Sequence, residues 1–424
     1  MLDPAFIREH PEAVKTAIRN KGETADVDAV LDLDRRRREA LAQVESLRKE
    51  RNEASRQVAA LKKQGEDADT IIARTREVGA RIKAIEADLA GVERDLRDEL
   101  LRVPNLPLDD VPVGRTEDEN RVVRTWGEVP TFDFEPKAHW DLNEGLHLFD
   151  FERAAKVAGA HFVLYTDRGA RLVRGLVNFM LDLHTAEHGY TEVFPPFLGN
   201  RDAMTGTGQL PKLEEDMYEL GRDDLFLIPT AEVPLTNMHR DEVLAHKDLP
   251  IACTAWSACF RREAGSYGRD TRGLLRVHQF NKVELLRFVH PDTSLDALEL
   301  LTGHAEEVLK RLGLTYRVSV LCTGELSFDA AKCYDLEVWA PGVGRWLEVS
   351  SCSTFGDFQA RRANVRFRDA DDKVKFVHTL NGSGTAFPRL IVALLETFQQ
   401  ADGAVALPKA LHPYLGGMTA MAPA

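Results

Sequence analysis

The sequence predicts an α+β protein that begins with a long antiparallel helical hairpin and continues into a larger domain containing strands. Apolar residues repeat with heptad spacing over residues 71–101, which indicates a coiled coil. After Pro104 and Pro107 the pattern changes to short alternating segments, turns and helices. The chain has 424 residues, enough for two or three domains. We therefore expect one domain over residues 1–106 and a second over residues 107–424.

The predicted hairpin has a clear apolar seam in its second helix. The seam residues advance in alternating steps of four and three, namely Val78, Ile82, Ile85, Leu89, Val92 and Leu96. The first helix carries a looser set, Leu47, Ala54, Val58 and Leu61. Gly65 is predicted to end the first helix and Asp69 to cap the second. A narrow seam favours an arm, about residues 27–102, that projects about 50 Å into solvent over one that packs flat on a larger domain.

The arm is more basic than the rest of the chain. Residues 34–63 contain ten Lys/Arg against five Asp/Glu, whereas the whole chain has a net charge of −13. On charge alone a solvated helix face is the favoured interpretation, and the alternative is a contact surface for the backbone of double-stranded nucleic acid, which suits basic side chains without interleaved aromatics. The candidate contacts are Arg35, Arg36, Arg37, Arg38, Arg48 and Lys49.

Several classes of protein are disfavoured. The longest aliphatic run has six residues and the N-terminal segment has no signal-peptide pattern, so we expect a cytoplasmic protein that is neither secreted nor membrane-spanning. The five cysteines include no C-x-x-C pair and are expected to be reduced, buried thiols. No zinc-ligand spacing, P-loop or complete dinucleotide-binding pattern is present.

A β-hairpin with an unusually polar face is predicted between residues 258 and 284. An apolar strand runs into Arg261, Arg262 and Glu263, a loop rich in Gly, Ser and Arg follows, and a second strand returns. On that returning strand one face would carry Arg276, His278, Phe280, Lys282 and Glu284. Such a face indicates a binding site for an anionic ligand, and an exposed hairpin with scattered ion pairs is the alternative.

Two further segments carry charged side chains next to predicted apolar elements. Pro388 is predicted to start a buried helix, with Arg389 in its first turn. A guanidinium there lies near the positive end of the helix dipole, so it calls for a bound anion or a neighbouring carboxylate. Glu348 and Ser351 offer oxygen ligands suited to Mg²⁺, although this segment taken alone is better explained as ordinary sheet surface.

These segments resemble, in chain order, the signature motifs of class II aminoacyl-tRNA synthetases. His188–Pro196 resembles the first motif, Phe260–Glu263 with Arg276 and Phe280 the second, and Gly382–Arg389 the third. Met204–Lys212 and Pro229–Asn237 resemble the seryl-tRNA synthetase family in particular, as does the N-terminal hairpin. The resemblance extends over essentially the whole chain.

The resemblance implies a catalytic domain built on an antiparallel sheet flanked by helices, ATP and Mg²⁺ as cofactors, and a homodimer with Gly189 and Pro196 at its interface. It implies that Arg261, Arg276 and Arg389 are catalytic. ATP contacts fall on Arg261, Arg262, Glu263, Arg276, Phe280, Glu348, Val349, Ser350, Ser351 and Arg389, with Mg²⁺ on Glu348 and Ser351. Serine contacts fall on Thr230, Ala231, Glu232, Arg261, Glu284 and Ser383.

The implied activity is the activation of L-serine by ATP and its transfer to the 3′-end of tRNA(Ser), and of tRNA(Sec) where that tRNA exists. Attack of a carboxylate on the α-phosphorus joins two anions, so fixed positive charge matters more than a protein nucleophile. Two alternatives remain: a ligase with a different acceptor, which typically lacks the arm, and a non-catalytic coiled-coil scaffold, which would be expected to lose its charged ATP ligands.

Overall fold

The computed structural model describes residues 1–264 and 272–423 and divides into two compact units, Met1–Pro104 and Asn105–Ala424. The loop predicted after Glu263 lies largely outside the described residues. The helices are, in chain order, α1 Pro4–Glu9, α2 Pro11–Asn20, α3 Val27–Gln64, α4 Asp69–Leu100, α5 His139–Leu146, α6 Phe151–Ala158, α7 Asp167–Ala186, α8 Arg201–Gly206, α9 Glu232–Asn237, α10 Ser294–Leu312, α11 Phe358–Ala363 and α12 Phe387–Thr397.

The strands are short outside the main sheet. In chain order they are β1 Arg121–Trp126, β2 Phe149–Asp150, β3 Leu164–Tyr165, β4 Thr191–Glu192, β5 Leu198–Asn200, β6 Glu219–Leu220, β7 Leu225–Leu227, β8 Val243–Ala245, β9 Ile251–Phe260, β10 Gln279–Val289, β11 Tyr316–Val320, β12 Lys332–Ala340, β13 Arg345–Gly356, β14 Arg366–Arg368, β15 Val374–Phe376, β16 His378–Ala386, β17 Val405–Ala406 and β18 Ala420–Met421.

The first unit contains the predicted helical hairpin, formed by α3 and α4. Ion pairs between Arg37 and Glu93 and between Arg48 and Glu86 join the two helices and are those expected of an antiparallel register. Every predicted seam residue of α4 is buried except Ile85, which is partly buried. In α3 the packing partners of Val78 and Ile82 are Leu47 and the unpredicted Val44. The predicted Ala54, Val58 and Leu61 are only half-buried, because the seam loosens toward the turn.

The turn between the two arm helices confirms one predicted signal and corrects another. Gly65 ends α3 with a φ of +75°, a conformation that glycine adopts without strain. Asp69 does not cap α4, because it is already the first helical residue. Its backbone N–H is instead accepted by the carboxylate of Asp67 at 2.9 Å.

The second unit is built on an eight-stranded sheet with the order β1-β11-β12-β13-β16-β10-β9-β4. Its neighbours are antiparallel except for β4, which lies parallel to β9. Helices α7, α10 and α12 contribute to the main apolar core with the sheet. The predicted antiparallel sheet flanked by helices is therefore confirmed.

The two faces of the sheet bury different clusters, and this divides the side chains of β10. Val283 and Leu285 point into the main core. Leu286 and Phe288 lie in a second cluster that includes Ala231, Leu235 and residues of α11. Because side chains alternate along a strand, Glu284 shares the face of Leu286 and Phe288. The polar pocket described below thus lies on the face opposite the main core.

Two β-bulges reset the register where the candidate site residues lie. On β13 the pairing passes from Glu348 to Ser350, which leaves Val349 as the extra residue. The extra residue turns Glu348 and Ser351 to the same side, although a regular strand would point residues three apart in opposite directions. On β16 the extra residue is Gly384, and this places Ser383 opposite Glu284. A Cβ on Gly384 would lie 2.9 Å from His184 Nε2, so the close packing there favours glycine.

All five cysteines are free and buried, as predicted. Phe387, at the start of α12, is fully buried in the main core. No helix within residues 1–264 and 272–423 combines the length and hydropathy needed to cross a bilayer.

Candidate active site

A buried polar pocket surrounds Glu284. Its Oε2 accepts hydrogen bonds of 2.5 Å from Thr230 Oγ1 and from the ammonium of Lys282. Its Oε1 is equally buried but has no hydrogen-bond partner among the described residues. A carboxylate that is fully buried with one unsatisfied oxygen is costly unless a ligand donates to it, so the pocket suits a hydroxyl or ammonium donor.

A second carboxylate, Glu232, begins α9 in the same pocket. Gln359 Nε2 donates to Oε1 at 2.6 Å, and Asn381 Nδ2 donates to Oε2 at 2.8 Å. Burial, aided by the negative charges of Asp329 and Glu284, raises the pKa of Glu232 to about 8. Ala231, just before it, packs in the second cluster, and Ser383 is buried on β16 opposite Glu284. The predicted serine contacts from three separate segments therefore meet here.

The end of β9 and the residues before β10 carry the predicted ATP contacts. The guanidinium carbon of Arg261 lies 5.2 Å from the centroid of the Phe280 ring. Arg262 is exposed beyond the end of β9, and its backbone N–H donates to Asp216 O at 2.9 Å. Glu263 has a φ of +55°, unusual for a residue with a side chain, and its carboxylate is ion-paired with Arg276.

The position of Arg276 corrects part of the sequence prediction. β10 begins at Gln279, so Arg276 and His278 precede the strand and do not extend its polar face. His278 Nδ1 instead lies 3.0 Å from the backbone oxygen of Arg261. The single predicted face is thus confined to residues within β10, and the segment before it is held by contacts to the end of β9.

Arg389 lies in the first turn of α12, as predicted, and is paired with a carboxylate. Its Nη1 donates to Glu348 Oε2 at 2.7 Å and to Glu348 O at 3.0 Å, and its Nε donates to Leu275 O at 3.3 Å. The neighbouring carboxylate that sequence reasoning left open is therefore Glu348. Although burial acts in the opposite direction, the charges of Arg389 and Arg261 lower the pKa of Glu348. Both guanidiniums thus lie close enough to act on one carboxylate.

Glu348 and Ser351 form a compact set of oxygen donors. Ser351 Oγ lies 3.4 Å from Glu348 Oε1 and donates to Asp335 Oδ1 at 2.6 Å. Burial and the nearby charge of Glu348 raise the pKa of Asp335 well above its ordinary value. Neighbouring ligands of an octahedral Mg²⁺ are about 2.9 Å apart, given metal–oxygen distances near 2.0–2.1 Å. The 3.4 Å between Ser351 Oγ and Glu348 Oε1 is about 0.5 Å wider, so the two oxygens fit the ion once they approach by that amount.

Two other predicted ATP contacts turn their side chains elsewhere. Val349 packs in the main core, and Ser350 Oγ donates to the backbone oxygen of Ser383 at 2.5 Å. Only their backbone groups remain for a ligand. The bulge explains the difference, because it gives Val349 and Ser350 the core side of β13 and leaves Glu348 and Ser351 on the other.

The predicted interface residues lie at the surface around β4. Gly189 and Pro196 are exposed, and Gly189 has a φ of +74°. Between them Phe194 is 74% exposed and stacks on Trp256 with a centroid separation of 6.0 Å. An exposed aromatic patch of this kind is typical of a surface that contacts another protein.

Most predicted nucleic-acid contacts on the arm are engaged in exposed ion pairs within the arm. Arg35, Arg37, Arg48 and Lys49 each form an exposed pair with a carboxylate of α3 or α4, whereas Arg38 pairs with the buried Asp34. Arg36 is exposed, and no carboxylate of the described residues pairs with it. Exposed pairs contribute about 0–1 kcal/mol each, so phosphate oxygens compete with them readily.

Sequence reasoning did not assign several residues that hold the pocket together. Lys282 was noted on the polar face of β10 but not as the partner of Glu284, which its i, i+2 spacing permits. Asp335 pairs with Ser351 across β12 and β13. Gln359 and Asn381, which hold Glu232, lie in no motif, so only the folded arrangement reveals them.

The chain matches two family models. Residues 1–107 match the seryl-tRNA synthetase N-terminal domain, and residues 214–398 match the tRNA synthetase class II core domain (G, H, P, S and T). The serine–tRNA ligase of Geobacter sulfurreducens is 55% identical over 419 residues, covering 99% of each chain.

Two solved structures are similar over the whole chain. The seryl-tRNA synthetase of Pyrococcus horikoshii complexed with ATP has 40% identity and a TM-score of 0.93, with full coverage of both chains. The cytoplasmic serine–tRNA ligase of Naegleria fowleri in complex with AMP has 27% identity and a TM-score of 0.88, covering 100% of this chain and 99% of that one. With this hairpin, this sheet and these converging motifs, the chain belongs to the seryl-tRNA synthetase family.

Proposed function

We propose that this protein is an ATP-dependent ligase that converts L-serine to seryl-adenylate and transfers the seryl group to tRNA(Ser). The observation that carries the proposal is the pairing of Arg389 with Glu348 and the position of Arg261 over the Phe280 ring, next to a buried pocket with an unsatisfied carboxylate oxygen. Cations from distant segments meet beside a small polar pocket, as adenylation requires. Family membership supports the same activity.

In the first step a carboxylate oxygen of serine attacks the α-phosphorus of ATP. The new bond joins that oxygen to phosphorus, the bond to the bridging oxygen breaks, and pyrophosphate leaves with that oxygen. Arg261 and Arg389 stabilise the charge on the α-phosphate, while Arg276 binds the terminal phosphate. For this Arg276 leaves Glu263, which then accepts a hydrogen bond from adenine.

In the second step the terminal ribose hydroxyl of the tRNA attacks the carbonyl carbon of the adenylate. An ester forms, AMP leaves with the carboxylate oxygen, and the hydroxyl proton is released. Phe280 stacks on the adenine, opposite the cationic face of Arg261. As in other phosphoryl-transfer sites, positioning and fixed charge account for the chemistry.

Glu348 and Ser351 are the residues that would hold Mg²⁺. When bound, the ion would supply positive charge that offsets the negative charge of the ATP phosphates. Asp335 holds the Ser351 hydroxyl through its hydrogen bond, which fixes the position of that donor. Release of Glu348 Oε2 from Arg389 would free both the carboxylate and the guanidinium for the nucleotide.

The serine pocket discriminates by hydrogen bonding. Glu284 is the candidate acceptor for the serine hydroxyl, with Ser383 opposite it, and Glu232 is the candidate partner of the ammonium. A site built to bind a hydroxyl rejects the analogue without it by up to about 10⁴-fold, which would exclude alanine. Threonine would be excluded by volume, a weaker form of discrimination.

The proposal includes a homodimer and an arm that binds tRNA. The patch of Phe194 and Trp256 beside Gly189 and Pro196 supports the dimer, and Phe194→Asp should shift the sedimentation coefficient toward that of a monomer. A Phe194→Asp variant that sediments like the wild type would contradict the interface.

The exposed arm arginines support binding of tRNA(Ser), and of tRNA(Sec) where it exists.

The experiment that tests the activity is pyrophosphate exchange with serine, threonine, alanine and glycine in turn. We expect exchange with serine and its loss in Arg261→Ala. Arg124→Ala is a matched control, because Arg124 pairs with Glu299 and Glu306 outside the pocket. Exchange with a different amino acid would overturn the substrate, and no exchange with any of them would support a non-catalytic scaffold.

A further inference from the structure

A cluster of two histidines and one carboxylate lies outside the candidate active site. His246, His290 and Asp369 each follow the last residue of a strand: β8 ends at Ala245, β10 at Val289 and β14 at Arg368. β8 and β14 are parallel, with Ala245 opposite Arg368. The register therefore makes His246 and Asp369 neighbours.

The distances within the cluster suit a tetrahedral metal ion. His246 Nδ1 lies 3.2 Å from Asp369 Oδ1, and His290 Nε2 lies 3.7 Å from the same oxygen. The three ligand atoms all lie within 4.8 Å of one another. A tetrahedral ion with bonds near 2.1 Å separates its ligands by about 3.4 Å, and the two measured separations bracket that value.

The surroundings orient the ligands for this purpose. Both imidazoles pack against Phe367, with centroid separations of 6.4 Å for His246 and 5.2 Å for His290. The other ring nitrogen of His290, Nδ1, accepts a hydrogen bond from the backbone N–H of Asp292 at 3.3 Å and lies 3.5 Å from the carboxylate of the same residue. Metal binding at Nε2 requires the ring proton on Nδ1, so Nδ1 would exchange the backbone contact for donation to the Asp292 carboxylate, the arrangement typical of metal-bound histidines.

One feature of the cluster opposes a cation and sets the expected strength of binding. Lys375 is ion-paired with Asp369 Oδ2, and the backbone N–H of Ala370 donates to Asp369 Oδ1 at 2.7 Å. The Lys375 ammonium pairs with Asp369 Oδ2, whereas Asp369 Oδ1 faces both histidines. Three protein ligands at a partly exposed position, with a lysine beside them, indicate moderate affinity and water as the fourth ligand.

We propose that His246, His290 and Asp369 form a binding site for Zn²⁺ or a similar divalent transition ion. The site is separate from the serine pocket, since His290 is six residues, about 20 Å, from Glu284 along β10. It would join the ends of three strands through one ion. The imidazole and carboxylate ligands favour Zn²⁺ over Mg²⁺, which prefers oxygen ligands.

The test is titration of the metal-free full-length protein with Zn²⁺ against a chromophoric chelator, and with Co²⁺ followed by visible absorption. We expect one ion per chain, intense tetrahedral Co²⁺ bands, and an affinity at least about tenfold lower in His246→Ala and in His290→Ala. His239→Ala is the matched control, because His239 pairs with a single carboxylate, Glu242, at 2.8 Å. The affinity of the His239→Ala variant for Zn²⁺ should equal that of the wild type.

A gain of affinity provides a check that loss of folding cannot imitate. Lys375→Ala removes the ammonium from Asp369 and should tighten Zn²⁺ binding several-fold. Zn²⁺ should also raise the melting temperature of the wild type but not that of His290→Ala. Absence of stoichiometric binding, or binding unaffected by both histidine variants and by Lys375→Ala, would overturn the site.

Discussion

Glu284 makes several of the polar contacts of the pocket, and no sequence motif indicated how many. Its carboxylate is the partner of a buried ammonium and of a hydroxyl, and it still has an oxygen facing the pocket. Sequence parity on β10 was enough to place Lys282 and Glu284 on one face. The hydrogen bonds that hold Glu232 were beyond prediction, because Gln359 and Asn381 come from segments whose spacing carries no signal.

Replacement of this carboxylate should impair serine use selectively. Glu284→Gln keeps the shape but removes the charge opposite Lys282, and a hydrogen bond to a charged group contributes roughly 1.5–3 kcal/mol. We expect kcat/KM for serine in pyrophosphate exchange to fall about 10- to 100-fold, with KM for ATP little changed.

The control for that variant is Glu306→Gln, another buried glutamate of the same unit. Glu306 accepts hydrogen bonds from Arg124 and Tyr316 and lies in α10. The Glu306→Gln substitution should lower thermal stability but leave KM for serine unchanged. Equal kinetic effects of the two substitutions would mean that Glu284 acts only through folding.

The raised pKa of Glu232 makes serine binding depend on pH. The folded-state pKa of about 8 lies above the ordinary value of 4.5, so the carboxyl is protonated in the free pocket below pH 8. The serine ammonium selects the ionised form and displaces that proton. We expect KM for serine to rise as pH falls from 8 to 6, by up to about tenfold per unit. A KM that stays constant over this range would argue against the ammonium contact.

At the scale of elements, heptad spacing predicted the arm well, and strand parity predicted the sheet less well. The seam of α4 was correct almost residue by residue, since a coiled coil repeats one local rule. The bulges at Val349 and Gly384 each break the two-residue period, so parity arguments that cross them fail. Ser350, implied as an ATP contact by the resemblance, has its side chain on the core side of β13, whereas Glu348 and Ser351 share the other side.

A truncation that respects the seam should separate the two half-reactions. Replacing residues 51–74 by a short Gly-containing turn removes the half-buried end of the hairpin and keeps Val44, Leu47, Val78 and Ile82. We expect serine-dependent pyrophosphate exchange to be unchanged and tRNA charging to fall by about 10²-fold or more, because the lost segment carries the exposed cations Arg56, Lys62 and Lys63, which add to the six predicted contacts that are retained. Charging at the wild-type rate would refute a role for the distal half of the arm and confine tRNA binding to the retained half, where the six predicted contacts lie.

For the whole molecule, the contrast between a net charge of −13 and a basic arm predicts a salt effect on one substrate only. If all six predicted arm cations contact phosphates, the logarithm of the apparent tRNA affinity should fall with the logarithm of salt concentration with a slope of about −5. Measuring KM for tRNA and for serine at several KCl concentrations checks this. Parallel changes in both constants would indicate a general effect of salt on folding.

Whole-chain organisation was the part that the sequence predicted most completely. The change in sequence pattern after Pro104 coincides with the point where the two compact units divide. The long helices and the antiparallel sheet follow from local periodicity. The contacts that bring β9, β13, β16 and α12 to one pocket are non-local, and physical reasoning alone supplied no register for them. Only the family resemblance connected those segments before the structure did.

The burial of every native thiol makes the molecule convenient for site-selective labelling. Burial raises the pKa of the Cys253, Cys259, Cys333 and Cys352 thiols, so little reactive thiolate forms at neutral pH. A cysteine introduced at the exposed Ser55 of the arm would react with a maleimide fluorophore while the native thiols stay protected. A dye at that position would then report by energy transfer when a labelled RNA arrives, without prior removal of any natural cysteine.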